Sequence, residues 1–170
     1  MAGRLLPLLL LPLLAAPAAG QALKGHDSQA PVDVAADRIE VQDRADRAMF
    51  VGNVQVRQAG LSLSAARLTV AYDRGGSGTQ IQRLDATGGV VVTSADQTAR
   101  GDVAIYDLTR RIITMVGGVS LTQGGNRVSG GRLVIDLTSG RATVDGSGVG
   151  APGASGGRVT GRFTVSNRGQ

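Results

Sequence analysis

Phe50-Val51-Gly52-Asn53-Val54-Gln55-Val56 decides the fold. Apolar and polar residues alternate on both sides of a Gly-Asn pair, so the stretch reads as a strand with one buried face and a break in its middle. The form apolar-x-Gly-(Asn/Gly)-Val-x-apolar returns as Ala86-Thr87-Gly88-Gly89-Val90-Val91-Val92 and as Met115-Val116-Gly117-Gly118-Val119-Ser120-Leu121. Glycine in mid-strand marks a bulge or a sharp bend. A bend at the same place in each copy curves the whole sheet. A curved sheet with an apolar inner face is either a closed core or an open groove.

A second form, (Arg/Asp)-apolar-x-apolar, interleaves with the first. Its copies are Arg38-Ile39-Glu40-Val41, Arg67-Leu68-Thr69-Val70, Asp102-Val103-Ala104-Ile105 and Arg132-Leu133-Val134-Ile135. Their starts lie 29, 35 and 30 residues apart, and the longer step contains the loop Asp73-Arg74-Gly75-Gly76-Ser77-Gly78. A unit of that size is a few strands that cannot bury their own apolar face, so units must stack. Val32 and Val34, and Leu61 and Leu63, alternate in the same way, and no window carries a helical stripe. Turn signals at Gly124-Gly125-Asn126 and Thr138-Ser139-Gly140 complete an all-β chain of antiparallel, meander-like strands.

The flanks read differently. Residues 1–22 read as a secretory signal peptide: Arg4, an apolar run from Leu5 to Leu14, then small residues that offer cleavage after Ala18 or after Ala22, the latter taken as the boundary. The run is shorter than the roughly 20 residues a bilayer requires. Residues 23–30 are polar and read as a mobile leader carrying His26, the only histidine. The repeats occupy 31–145. Residues 146–157 are a Gly-rich linker with Pro152. Within 158–170 one more alternating strand spans Val159 to Val165, which either joins the sheet or makes an end-to-end contact.

Composition narrows the function. The 170 residues hold 18 Lys or Arg against 13 Asp or Glu, a formal charge of +5, with 26 Gly and no Cys or Trp. Absence of Cys excludes disulfides, thiolate zinc and iron–sulfur clusters, and one His builds no multi-histidine metal site. No cofactor or metal is expected. Export and the lack of aromatic stacking platforms argue against a nucleic-acid partner. An enzyme is not expected either. Glu40 is the only Glu, most Asp residues fall at turns or strand ends, and His26 lies outside the repeats.

The ordered series, Pro31-Val32-Asp33-Val34-Ala35-Ala36-Asp37, the Phe50–Val56 stretch and the later Gly-Gly-Val copies, resembles the OstA-like domain of the LptA family, periplasmic lipopolysaccharide-transport proteins of Gram-negative bacteria. The resemblance runs from about Pro31 to Asp145. It implies a V-shaped β-jellyroll of two antiparallel sheets with an apolar interior. It also implies a bridge in the periplasm that shelters lipid A acyl chains between the inner and outer membranes. It further implies LptC-type and LptD-type partners at its two ends and copies that associate head to tail through edge strands. The linker and the strand after it have no counterpart in that pattern.

Strand parity nominates the lipid-binding face: Phe50, Val54 and Val56, then Ala86, Val90 and Val92, then Met115, Val119 and Leu121. Val32 and Val34 are the entry strand by resemblance. Tyr106 and Leu108 match another lipid-facing position by resemblance, although their parity opposes that of Val103 and Ile105, and a bulge would reconcile the two. Ordinary core residues show the same alternation. Arg38, Arg67, Arg74 and Arg132 are candidates to meet phosphates at a rim, or else solvated strand residues. Two other readings remain: a structural β-repeat protein with a filled core that assembles through its edges, and a periplasmic enzyme with an unrecognised carboxylate site.

Overall fold

The structure, a computed structural model, describes residues 26–76, 78–146 and 157–164. The expected signal peptide and residues 147–156 of the expected linker lie outside the described residues. Among the described residues ten strands form one antiparallel sheet: β1 (Asp33–Ala35), β2 (Arg38–Gln42), β3 (Arg47–Gln58), β4 (Leu61–Gly75), β5 (Gly78–Ser94), β6 (Gln97–Asp107), β7 (Ile112–Gln123), β8 (Asn126–Asp136), β9 (Arg141–Asp145) and β10 (Thr160–Arg162). The order is β1-β3-β4-β5-β6-β7-β8-β10, with β2 also on β3 and β9 also on β8. Neighbours in sequence pair throughout β3 to β8, as short hairpin turns dictate. There is no α-helix among the described residues, only a single 3-10 turn at Asp43–Ala45.

The glycine pairs do what their position predicts. In β3, β5 and β7 the ladder breaks around Gly52-Asn53, Gly88-Gly89 and Gly117-Gly118. All six residues have left-handed φ, between +46° and +87°. Each neighbouring even strand has a bulge of one residue at the same level: Ala66 in β4, Asp102 in β6 and Gly131 in β8. The bulges nest. An added Cβ on Gly88 would lie 2.6 Å from the Ala66 Cβ, and one on Gly117 would meet the Asp102 carboxylate. Only glycine combines that backbone with that approach. The line of bulges bends every long strand, and the sheet folds along it into a V-shaped jellyroll of two leaves.

Two inner rows show how the core is made. Leaf one carries Val34, Val56, Leu63, Val92, Ala99, Leu121 and Val128 in register. Leaf two carries Ile39, Phe50, Leu68, Ala86, Ala104, Met115, Leu133 and Val144. The buried members belong to one cluster. Each large aliphatic side chain so buried contributes about 1.5–3 kcal/mol.

The bulge count explains the parity conflict at Tyr106. Two extra residues preserve which face a strand presents; one extra residue reverses it. In β6, Gln97 and Ala99 point inward before Asp102, and Ala104 and Tyr106 point inward after it. The third copy of the second repeat therefore stands one residue out of frame. Val103, not Asp102, shares a row with Arg67 and Arg132, and Val103 and Ile105 face outward.

The ends also differ from the sequence reading. Residues His26–Ala30 of the expected leader are docked rather than loose: Ser28 is 8% exposed, and Ala30 N–H donates to Asp27 O. The expected strand over Val159–Val165 appears as β10, three residues paired with β8 through Thr160–Ser129, Gly161–Val128 and Arg162–Arg127. Thr164 adds two bonds, from its N–H to Asn126 Oδ1 (3.0 Å) and from its hydroxyl to Gly125 O (3.0 Å). So that strand joins the sheet.

Candidate functional site

The thirteen nominated lining residues gather in one interior. Val54, Val56, Ala86, Val90, Val92, Tyr106, Met115 and Val119 are buried, none more than 3% exposed. Val32, Val34, Phe50, Leu108 and Leu121 are partly buried and pack on the same cluster. Among the described residues the interior is closely packed at these side chains, and a cavity of about 10 Å³ lies between Val92, Ala99 and Leu121 on leaf one and Ile135 on leaf two. At the β2 end the inner face is uncovered, with Ile39 54% and Val41 61% exposed.

The sheet is not closed. Among the described residues its terminal edges, β1 and β2 on one side and β9 and β10 on the other, do not pair with each other. The leaves are held together by side chains, and parting them breaks no backbone ladder.

One polar cluster crosses between them. Gln58, 2% exposed on leaf one, accepts at Oε1 from the Tyr106 hydroxyl of leaf two (3.1 Å) and lies 3.1 Å from His26 Nε2. Its amide nitrogen donates to Ser28 O (3.1 Å) and Ala30 O (3.0 Å). The His26 ring meets Tyr106 edge-on, with centroids 6.5 Å apart. Burial pushes the Tyr106 phenol above its ordinary value. The nearby Ser28 hydroxyl, which does not reach hydrogen-bond geometry, and the charge of Arg111 oppose the rise. A buried amide is tolerable only when satisfied on all sides, and Gln58 is. It straps the segment 26–32 across the gap.

Beside the strap lies a cavity of about 470 Å³, lined by Ser28–Val32, Gln58, Thr79–Gln82, Leu108, Thr109 and Arg111. Val32 and Leu108 were nominated from the sequence; Gln58, Ser28, Ile81 and Arg111 were not. A Gln that ends a strand and an Arg in a polar turn look like any surface residue until the fold places them.

The four rim arginines do not converge on this mouth. Arg38, Arg67 and Arg132 occupy one row on the outer face, running Arg38–Val51–Arg67–Thr87–Val103–Val116–Arg132 alongside the bend. Arg38 pairs weakly with Glu40 at 3.4 Å. Arg74 is engaged by Asp43 (2.7 Å) and Asp46 (3.3 Å) and sits over the Tyr72 ring at 5.4 Å.

The described residues contain no group of three or more His, Cys, Asp or Glu able to hold a metal ion. No helix among them is long and apolar enough to cross a membrane.

A family model described as LptA/(LptD N-terminal domain) LPS transport protein matches residues 33–141. An uncharacterised protein of Rhizobium meliloti (strain 1021) is 33% identical over 135 residues, covering 76% of this chain and 68% of that one. The crystal structure of LptH from Pseudomonas aeruginosa, described as the LptA-homologous periplasmic component of the conserved lipopolysaccharide transport device, superposes with a TM-score of 0.72 at 19% identity. It covers 82% of this chain and 99% of that one.

Proposed function

Because the chain belongs to the LptA/(LptD N-terminal domain) LPS transport protein family, we propose that it is a periplasmic bridge protein. It carries lipopolysaccharide from the inner to the outer membrane by sheltering lipid A acyl chains between its two leaves. The observation that carries this reading is an unclosed V whose apolar inner rows are held together by side chains alone. Exposing a methylene to water costs about 0.8 kcal/mol. Acyl chains that part the leaves replace apolar contact with apolar contact, so opening is nearly repaid at every step along the groove. The lining is Val32, Val34, Phe50, Val54, Val56, Val90, Val92, Tyr106, Leu108, Met115, Val119 and Leu121. No chemical step is involved, and no cofactor is required.

The proposed partners are an LptC-type protein at one end, an LptD-type protein at the other, and further copies head to tail. Strand addition at the terminal edges supplies the contact. The uncovered Ile39 and Val41 support the β2 end as one such junction.

The test places a photoreactive residue at Val54, with Gln55 as the control. Val54 is fully buried and Gln55 is exposed. Irradiation during lipopolysaccharide transport is expected to give a lipopolysaccharide adduct at 54 and none at 55. No adduct at 54, repeated at Val34 and Val92, refutes the reading. That outcome favours a structural β-repeat protein, which the filled interior equally suits.

A further inference from the structure

Among the described residues four large hydrophobic side chains are exposed, and all four sit at the two ends of the sheet. Ile39 and Val41 stand on the inner face of β2, at the head. Val159 (44% exposed) and Phe163 (67%) flank Gly161 of β10, at the tail. Gly161 lies in the inner row, opposite Val128. Phe163 folds over it: an added Cβ on Gly161 would lie 2.8 Å from the Phe163 Cε2. Side chains two residues apart on a strand share a face, so Val159 points inward as well. Every residue from 157 to 164 is exposed. β10 therefore adds nothing to the core, and its apolar face is left for another surface.

Strand sense says which surface. β1 and β2 run antiparallel to β3, and β9 and β10 antiparallel to β8. Five antiparallel ladders separate β3 from β8, so these two run in opposite senses. Both head strands thus run one way and both tail strands the other. A second copy added to the tail in the same orientation meets it antiparallel in both leaves, β2 on β9 and β1 on β10. Without β10 the tail edge of leaf one is β8, which runs in the same sense as β1. Two bare β8 edges pair antiparallel only about a two-fold axis, which sets the two bends on opposite sides and joins one leaf alone.

Charge agrees with this register. Continuing the inner rows into a second copy sets its Val34 beside Gly161 and its Ile39 beside Val144. The outer rows then bring its Asp33 to Arg162 and its Arg38 to Asp145. All four residues are exposed. Asp33, Asp145 and Arg162 make no ion pair among the described residues. Arg162 stands directly opposite Arg127 in its own sheet, a like-charge pair that costs stability until an acid answers it. Residues 33–42 hold three acids against one arginine, whereas residues 157–164 hold two arginines and no acid.

We propose that β10 is an adaptor strand for a second copy of this chain. Seated on β8, it makes the tail a receptor for the head of the next copy. Asp33–Arg162 and Arg38–Asp145 set register and polarity, because like ends carry like charge. Ile39 and Val41 of one copy and Val159 and Phe163 of the other cover each other in the joint. The proposal rests on the bridge reading and names the surface by which copies join.

The test follows the mass of the purified full chain by sedimentation over a range of concentrations. The wild-type mass is expected to grow with concentration. Asp33→Arg and Arg162→Asp each turn an attraction into a repulsion and are expected to weaken association about tenfold. An equal mixture of the two variants is expected to recover wild-type growth, because every joint in it finds an opposite-charge pair. Phe163→Ser is expected to weaken association a few-fold with an unchanged unfolding midpoint, since that side chain is mostly exposed. A mass independent of concentration overturns the proposal. So does growth that neither charge reversal weakens, and so do losses that mixing fails to restore. In each of these cases a lipopolysaccharide adduct at Val54 leaves the carrier reading standing. Absence of that adduct removes the carrier reading whether or not copies join.

Discussion

Gly88→Ala tests the bend line on which the whole architecture depends. Gly88 has φ +87°, and its new Cβ would stand 2.6 Å from the Ala66 Cβ on the neighbouring strand. Carbon atoms rest at about 3.5–4.0 Å, so one strand must move. Left-handed backbone on an alanine costs about 1–2 kcal/mol, and overpacking adds about 1–3 kcal/mol. The expected loss is about 2–5 kcal/mol. Gly89 is the internal control: φ is +66° and nothing lies within 4 Å of its added Cβ. Gly89→Ala therefore keeps only the strain, about 1–2 kcal/mol. Ala66→Gly removes the obstructing methyl. Ala66 is exposed, so alone this change costs about 0.5–1 kcal/mol. In the Gly88→Ala/Ala66→Gly double variant the clash is gone, and the loss should fall short of the sum by about 1–3 kcal/mol. Urea unfolding followed by circular dichroism reads all four variants at comparable slopes. Equal losses at 88 and 89, or strict additivity of the double variant, would refute the claim that nested bulges hold the bend.

Gln58→Leu strips partners from the Tyr106 hydroxyl and from two strap carbonyls. An overall loss of about 1–3 kcal/mol is expected, with faster amide exchange over residues 26–35; unchanged exchange there would contradict the strap. Burial raises the Tyr106 phenol, so its contribution to stability is intact below the unfolded value of about 10. It is lost as pH rises through the higher folded value. Stability of the wild-type chain should therefore fall above pH ~10, and that of Tyr106→Phe should fall less; parallel curves would argue against burial as the cause. Deleting 158–170 uncovers the β8 backbone at Arg127–Ser129. Concentration-dependent self-association by light scattering should increase, and an unchanged mass would mean that β10 does not guard that edge.

How far the chain could be read in advance depends on the distance over which each feature is written. The two-residue bulges were legible because Gly52-Asn53, Gly88-Gly89 and Gly117-Gly118 announce left-handed backbone within single strands. The one-residue bulges at Ala66 and Asp102 were not, since alanine and aspartate carry no such signal. The resulting change of face hid the inward turn of Tyr106 and put Val103 in the wrong frame. His26 passed for a loose leader residue because its partner, Gln58, lies 32 residues away. The rim arginines were chosen for charge, and charge does not say which side of a bent sheet a residue occupies.

Alternation, glycine spacing and composition by themselves determined an all-β chain, its repeating bend, its apolar inner face and the absence of any thiolate or multi-histidine metal chemistry. These are local properties, set by period-two side-chain geometry and by the few residues able to adopt left-handed backbone. The tertiary structure alone decided that the two leaves meet as a filled V, that a buried glutamine straps one to the other, that the last strand returns to the sheet, and that Arg111 rather than an outer-face arginine stands at the mouth. Each of these is a contact between segments tens of residues apart, fixed by ladder register and shared burial rather than by the identity of neighbouring residues.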